Sequence, residues 1–571
     1  MTASLPRRPS PNLERYLPLA VFALAILIYV PALRSGYIWD DDAYVTQNPV
    51  LRDAGGLARI WSDPLATPQF YPLTFTTLWL NHYFFGYWAL AYHLTNVLLH
   101  AVSALLVFRI LKRLGLPGAW LGCLLVLVHP VMVESVAWVT ERKNTLSLAM
   151  ALGSLLCFLE AGWADTEARI HRGRTAAGVL LFIGGLLSKT VIAPLPIILV
   201  LVAWARGVKL KTPMLVGAAI LTAIGAAAGF TTATIERVYV GASGGEFEHG
   251  TSPLSEFAAR SIIAGRAVCF YVGKLIVPYP LIFNYPRWTI DIHSPAQWIA
   301  PAAVVGVTIA LWIARRRTGR WPIVVWLSFL GLLFPALGFV NVFPHIFSWV
   351  ADHFQYHAAV ILLAAVGVLA SRLPQRALVP AAVVVILAFA GLTFAQSTIY
   401  YDVETLWTRT LEQNPRSWLA DTTLGTLEAE RGQDASAAMR FERSIEWMKA
   451  QYHGQKDAGF GMPYYQLGIL AEKHGDLSTA EQRFRQTIDF DPNHAQAHAN
   501  LALVMLQTGR IDEAEAQWQL ALTAKTMRDP ADLARRAAMA LSQTGHPDRA
   551  AKWIEIMNRY RASKVGAVTT H

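Results

Sequence analysis

LVPAAVVVILAFAGLTF occupies Leu378–Phe394 and is followed directly by AQSTIYYDVETLWTRTLEQNPRSWLADTTLGTLEAERGQDASAAMRF, Ala395–Phe441. The first half carries no charge and is nearly long enough to cross a bilayer, which takes about 20 apolar residues. The second half is polar, charged and helical in pattern. A composition break of this kind is a domain boundary. It divides the chain into residues 1–396 and residues 397–571.

Working toward the N-terminus, the apolar runs continue: Ala358–Ala370, Ile323–Val340, Trp298–Ala314, Met214–Thr232, Ile192–Trp204, Ala176–Leu187, Leu146–Trp163, Ala119–Val139, Tyr92–Leu111 and Leu17–Leu33. They explain why 54% of the 571 residues are hydrophobic and only 15% charged, against about 25% charged in a soluble domain. The expected fold is all-α: a polytopic helical domain of about eleven spans, then a second helical domain. The first run follows Arg7, Arg8 and Arg15, but no small-residue cleavage site follows it, so it reads as an uncleaved anchor.

The net charge of +10 does not point to nucleic acid, because the positions of the charges explain it. Arg7, Arg8 and Arg15 precede the first run. Arg109, Lys112 and Arg113 follow the second, and Arg169, Arg172 and Arg174 the fourth. Arg206, Lys209 and Lys211 follow the sixth, Arg315, Arg316, Arg317 and Arg320 the eighth, and Arg372 and Arg376 the tenth. All fall on one side if spans alternate, which puts the N-terminus in the cytoplasm and the C-terminal domain outside. The expected setting is an integral, multi-pass protein of a bacterial inner or plasma membrane. The alternation also makes Leu254–Val277, with Arg260, Arg266 and Lys274, an interfacial or re-entrant helix within an outer loop 233–295. Cys123, Cys157 and Cys269 sit in apolar stretches and read as small buried hydrophobes.

The C-terminal domain repeats. Leu467, Gly475, Ala480 and Phe484 recur 34 residues on as Leu501, Gly509, Ala514 and Trp518. Asp491-Pro492 closes the first of these units. An earlier one reads Leu424, Gly425, Gly432, Ala437 and Phe441 after Asn414-Pro415, and a weaker last one Leu541, Gly545 and Ala550. That period predicts a tetratricopeptide-repeat α-solenoid, an architecture that binds protein partners or serves as a scaffold.

Candidate chemistry lies in the outer loops. The loop 34–89 opens Gly36-Tyr37-Ile38-Trp39-Asp40-Asp41-Asp42. Three adjacent carboxylates beside a low-dielectric slab repel one another, and at least one should hold its proton more tightly, as suits a general base. A solvated acidic turn is the plain alternative. On the same side stand His129, Glu134, Arg142, Lys143 and Lys189, then Asp352, His353, Tyr356 and His357. Arg142, Lys143 and Lys189 break the positive-inside pattern, and an anionic partner is the natural reason. Snorkelling is the plain alternative for each. The chain has no Walker-type loop, Rossmann fingerprint, HExxH or Cys/His cluster.

Taken in order, Tyr37-Ile38-Trp39-Asp40-Asp41 with Asn48, Tyr92-His93-Leu94-Thr95-Asn96-Val97-Leu98-Leu99-His100, His129-Pro130 with Glu134-Ser135-Val136-Ala137, Arg142 and Asn144, Ser188-Lys189-Thr190 and Pro278-Tyr279-Pro280-Leu281 resemble the transmembrane-and-tetratricopeptide-repeat family of GT-C class glycosyltransferases. The resemblance implies sugar transfer from a polyprenyl-phosphate lipid to a hydroxyl of a protein or glycan on the outer face. In better-known members the sugar is mannose and the acceptor a protein. It implies that Asp40 and Asp41 are catalytic and that Arg142 and Lys189 bind the donor phosphate. The polar residues gathered on the same side add Lys143 and His353 to the phosphate binding, and Asp42, His129, Glu134, Asp352 and Tyr356 as supporting residues. A divalent cation, Mg or Mn, held by Asp40 or Asp41 is an open option. The chain departs from the family at Asp352-His353, where an acidic-arginine pair is usual, and at Asn144. Two other readings stay open: a non-enzymatic membrane scaffold for envelope assembly, and a lipid-linked oligosaccharide ligase or flippase.

Overall fold

A computed structural model of the chain describes residues 11–165, 170–236, 252–340, 342–452, 457–524, 527 and 529–568. Arg7, Arg8 and Arg169, and residues 237–251 of the expected outer loop, lie outside that set. Among the described residues every regular element is helical and none is a strand. Two compact units form. One runs to Gln413, and the other holds the repeats from Asn414 onward. The first unit extends past residue 396 because the Val403–Gln413 helix buries Leu406 and Trp407 completely.

Each expected apolar run lies mainly in a helix of the first unit, but the runs are not alike. Five helices are long and apolar enough to cross a membrane: Ala89–Arg113, Thr212–Ile235, Pro295–Thr318, Asp352–Ala370 and Gln375–Tyr400. Three more, Arg15–Ile28, Thr190–Ala205 and Trp321–Ala336, are apolar but shorter. The Ala119–Val139 run is broken: Ala119–Val128 and Pro130–Ala137 meet at a bend of 55°. Pro130 supplies the break, since proline has no N–H to give and clashes with the preceding turn. The remaining two runs lie in the helices Arg142–Glu160 and Arg172–Leu186. These lengths mark a membrane protein. Of the three cysteines, Cys123 is buried as expected, but Cys157 is half-buried and Cys269 exposed.

The basic helix ends come together. Asp165 pairs with Arg113 and, at 3.3 Å, with Arg206, while Arg320 donates to the Trp204 carbonyl at 2.8 Å. The Pro253–Ile276 helix keeps to the other ends of its neighbours. Arg260 donates to the Gly338 carbonyl, beyond the end of Trp321–Leu333. A Cβ on Gly265 would clash with Pro301, in the first turn of Ile299–Thr318. The Leu275 carbonyl accepts from His129 Nε2 at 3.1 Å.

The repeat unit is a run of helix pairs: Trp418–Glu430 with Asp434–Tyr452, Met462–Lys473 with Leu477–Phe490, Ala495–Gln507 with Ile511–Thr523, and Pro530–Gln543 with Pro547–Val568. The turns within the pairs hold Gly432, Gly475, Gly509 and Gly545, all at φ between 76° and 85°, the left-handed region that glycine adopts without strain. Ala437, Ala480 and Ala514 are fully buried, and Phe441, Phe484 and Trp518 pack beside them at 0–1% exposure. A Cβ on Gly468 would come within 2.6 Å of the Phe484 ring, so the small residue lets the two helices of that pair approach. In the last pair Trp553 takes the aromatic place, edge-on to Trp518 at 5.5 Å. The periodicity had not singled it out.

Candidate functional site

The acidic loop starts from a fixed backbone. Gly36 N–H donates to the Tyr401 carbonyl at 2.9 Å, and the Gly36 carbonyl is 3.1 Å from His93 Nε2. Trp39 then adopts φ 41°, the one positive value at a described residue other than glycine. Such a backbone costs on the order of 1–3 kcal/mol and persists only where the surroundings over-determine it. Here they are aromatic. The indole stacks on Trp138 at 5.6 Å and meets Phe283, Phe347 and Trp407 edge-on at 5.4–5.8 Å.

Past that turn the three aspartates separate. Asp41 is buried and accepts three hydrogen bonds: Ile38 N at 2.9 Å on Oδ2, and Thr140 N at 2.8 Å and Thr140 Oγ1 at 2.7 Å on Oδ1. Burial pushes its carboxyl up to about 7 against the pull of those donors. Asp42 is exposed and accepts from Thr46 Oγ1 at 2.6 Å. The Asp40 carboxyl makes no hydrogen bond among the described residues. Burial pushes it up to about 6, against the attraction of Lys143.

The basic residues divide likewise. Arg142 is fully buried, and its guanidinium donates to Asn96 Oδ1, to Asn81 Oδ1 at 2.9 Å and to the Tyr92 carbonyl at 2.8 Å. It braces the Pro72–Phe85 and Ala89–Arg113 helices and has no edge turned toward Asp40's neighbours. Lys143 and Lys189 do: their ammonium groups stand 3.1 Å and 3.5 Å from the Glu141 carboxylate. Glu141 stands with Arg142, Lys143 and Asn144 in the run after the Ala119–Val139 stretch, and the sequence pattern assigned it no role of its own. Burial would raise its carboxyl, but Lys143 and Lys189 outweigh that and hold it at about 2. Burial lowers Lys189. Lys189 Nζ also donates to Asn144 Oδ1 at 2.8 Å, and Asn144 Nδ2 donates to Ser135 Oγ at 2.9 Å and the His353 carbonyl at 3.0 Å.

Glu134 holds His353 from two sides. Its Oε1 lies 2.7 Å from His353 Nδ1 and its Oε2 accepts the His353 N–H at 3.1 Å. Asp352 Oδ2 accepts from Tyr285 OH at 3.0 Å. The other supporting candidates sit elsewhere. His129 bonds the Leu275 carbonyl, Tyr356 OH bonds His100 Nδ1 at 2.9 Å, and His357 Nε2 lies 2.8 Å from Ser147 Oγ. The structure therefore brings together Asp40, Glu141, Lys143, Asn144, Lys189, Glu134 and His353, and leaves Asp42, His129, Arg142 and Tyr356 outside that group. Gln69, Tyr44 and Glu236 join it beside Lys143, from positions no motif had marked.

Among the described residues no three His, Cys, Asp or Glu side chains gather as metal ligands. Asp41's oxygens already accept three donors, and two ammonium groups face Glu141, so this donor set does not fit a divalent cation. A cavity of about 930 Å³ belongs to the repeat unit, between Gly432 and Arg483. Another, of about 340 Å³, lies in the first unit beside Pro278–Phe283 and Gln396. Neither includes Asp40.

Fold and site together define a helical membrane protein with a tetratricopeptide solenoid, and residues 465–530 match the tetratricopeptide repeat family. More particularly, the chain is similar to proteins named protein O-mannosyl-transferase, as the ordered motifs led one to expect. F38B6.6 of Caenorhabditis elegans is 27% identical over 152 residues, 24% of this chain and 22% of that protein. Tmtc1 of Drosophila melanogaster is 30% identical over 181 residues, 29% of this chain and 20% of that protein. TMTC2 of Mus musculus is 30% identical over 149 residues, 24% of this chain and 18% of that protein. The chain thus spans about a fifth of the length of these curated relatives.

Proposed function

We propose that this chain is a membrane glycosyltransferase that moves a sugar from a polyprenyl-phosphate donor to a hydroxyl of a protein or glycan on the extracytoplasmic face, with inversion. The observation that carries the reading is the Asp40 carboxyl, free of hydrogen bonds among the described residues and acted on by Lys143, which shares Glu141 with Lys189. The names of the relatives favour mannose as the sugar and a protein as the acceptor.

The charges suit the reaction. Asp40 and Glu141 ionised, with Lys143 and Lys189 protonated, sum to zero. The donor is a phosphodiester of charge −1. As the acceptor oxygen attacks the anomeric carbon, its proton passes to Asp40 and the bond from that carbon to the phosphate oxygen breaks. These four groups become +1 at the moment the leaving phosphate monoester goes toward −2. Ammonium groups fixed where negative charge develops are the main means of stabilising such a step. Lys143 and Lys189 hold the phosphate. Glu141 keeps them apart and in place, and Asn144 ties Lys189 to the backbone at His353. Arg142 acts only through the helices it braces. Asp41 serves as the latch that joins the first loop to Thr140.

The lipid tail would lie among the apolar helices. The Pro253–Ile276 helix would lie along the outer surface, since Arg260, Gly265 and Leu275 all meet helix ends remote from the basic clusters. The repeats would lie outside and recruit the acceptor, for which the 930 Å³ groove is the suitable surface.

The test is transfer of labelled mannose from polyprenyl-phosphate mannose in membranes. Asp40→Asn should lower transfer by about 10²–10⁴-fold, the usual worth of a general base, with unchanged membrane insertion and thermal unfolding. Full activity in that variant sinks the base assignment. No transfer by folded wild type with any polyprenyl-phosphate sugar favours the scaffold.

A further inference from the structure

Lys143 is held from two directions. On one side is Glu141. On the other is Gln69, whose Oε1 accepts from Lys143 Nζ at 3.2 Å and from Tyr44 OH at 2.5 Å. An ammonium group only donates, so the amide end that faces Lys143 must be the oxygen. The NH₂ end is then turned to Glu236, and Gln69 Nε2 donates to Glu236 Oε1 at 2.8 Å. Tyr71 OH donates to the same oxygen at 3.5 Å. Glu236 is buried, and it directly follows the Thr212–Ile235 helix, far in sequence from the first loop. The ammonium group also lies over the Tyr44 ring, 5.1 Å from its centroid.

We propose that Gln69 and Glu236 are positioning residues that aim Lys143 at the anionic headgroup of the donor while keeping its positive charge available. The proposal rests on the donor reading above. Its physical content is the order of the two side chains. A carboxylate at 69 would pair with Lys143 directly, and the lysine would then have two anions and little attraction left for a phosphate. A neutral amide at 69 fixes the ammonium by a hydrogen bond without cancelling it. The carboxylate at 236 fixes the amide from behind, one side chain farther off, where Coulomb attraction to Lys143 is weaker.

The arrangement can be inverted without changing its shape or net charge. In the double variant Gln69→Glu with Glu236→Gln, an amide still bonds a carboxylate between the two positions, but the negative charge now sits against Lys143. A merely structural role predicts that the double variant behaves as wild type. The proposal predicts that it unfolds at the wild-type temperature, binds polyprenyl monophosphate in detergent roughly tenfold more weakly, and raises KM for polyprenyl-phosphate mannose with little change in kcat.

Glu236→Gln alone provides a second test should the double variant fail to fold. The amide oxygen it introduces can still accept from Gln69 Nε2, and a buried negative charge is gone, so the monophosphate should bind as tightly as to wild type or more tightly. Weaker binding by Glu236→Gln, or wild-type binding by the folded double variant, overturns the proposal and leaves the glycosyltransferase reading standing. Folded wild type that binds no polyprenyl monophosphate overturns both.

Discussion

In the repeat unit, the residues that shape the fold have counterparts 34 to 43 positions away; around Asp40, none has. Ala437, Ala480 and Ala514 are all fully buried, and four glycines share one backbone conformation. Each helix pair needs only its neighbours, so a short sequence pattern carries its structure. Asp40, Gln69, Glu141, Lys143, Lys189 and Glu236 come from distant parts of the chain and meet only once the helices have packed. A repeated position announces its role. A converging position has a role only in the finished fold.

The sharpest way to break this comparison is Trp518→Ala. Trp518 is 1% exposed and packs on Trp553. Its loss should cost the repeat unit about 3–5 kcal/mol. Limited proteolysis of the full chain over a temperature ramp should release repeat fragments well below the wild-type temperature. Polyprenyl monophosphate binding should remain. If binding falls in parallel with repeat cleavage, the two regions do not behave as separate cooperative units.

Next is Asp41→Asn. An amide at 41 cannot accept on both ends, so it must turn its NH₂ toward Ile38 N–H or toward Thr140. One buried donor loses its partner, at about 1–3 kcal/mol. A melting temperature lowered in Asp41→Asn and unchanged in Asp40→Asn would separate the latch from the base. Equal melting temperatures in both would erase the distinction between these neighbours.

Those neighbours also show how far sequence reading reaches. The apolar runs, the composition break and the 34-residue period led directly to the helices and the solenoid. That Asp40, Lys143, Lys189, Glu134 and His353 would gather was likewise suggested by the charge pattern and the ordered motifs. The ordered motifs put Arg142 ahead of Lys143 as the phosphate ligand, and only side-chain direction shows that Arg142 braces two helices while Lys143 faces Glu141. Gln69 and Glu236 carried no signal at all. A neutral amide in a loop and a lone acid at the end of an apolar helix become informative only when their partners are known.

The pH dependence of transfer sharpens the comparison further. Asp40 must be ionised to take a proton, and burial pushes its carboxyl up to about 6. As pH falls through that value the base becomes protonated and kcat/KM should drop, approaching tenfold per pH unit. Glu141, held at about 2, stays ionised throughout and adds no limb there. The measurement is kcat/KM between pH 5 and 8 at fixed ionic strength. A profile flat down to pH 5 would remove Asp40 from the chemistry.

The smallest effect belongs to the repeats and tests their side of the comparison. Gly545 sits at φ 85°, and a Cβ there meets nothing within 4 Å. Gly545→Ala therefore brings no clash, only the strain of a left-handed residue with a side chain, about 1 kcal/mol. Gly545→Asn should cost less, because asparagine visits that region more readily. Both are read as shifts in the temperature at which the Pro547–Val568 helix becomes protease-sensitive. If the turn glycine acts by backbone conformation alone, alanine at Gly475 and Gly509, which also meet open space, should give shifts of similar size. A much larger shift at one of them would mean that the turns are not equivalent, and the repeat unit would then depend on particular contacts as the Asp40 cluster does.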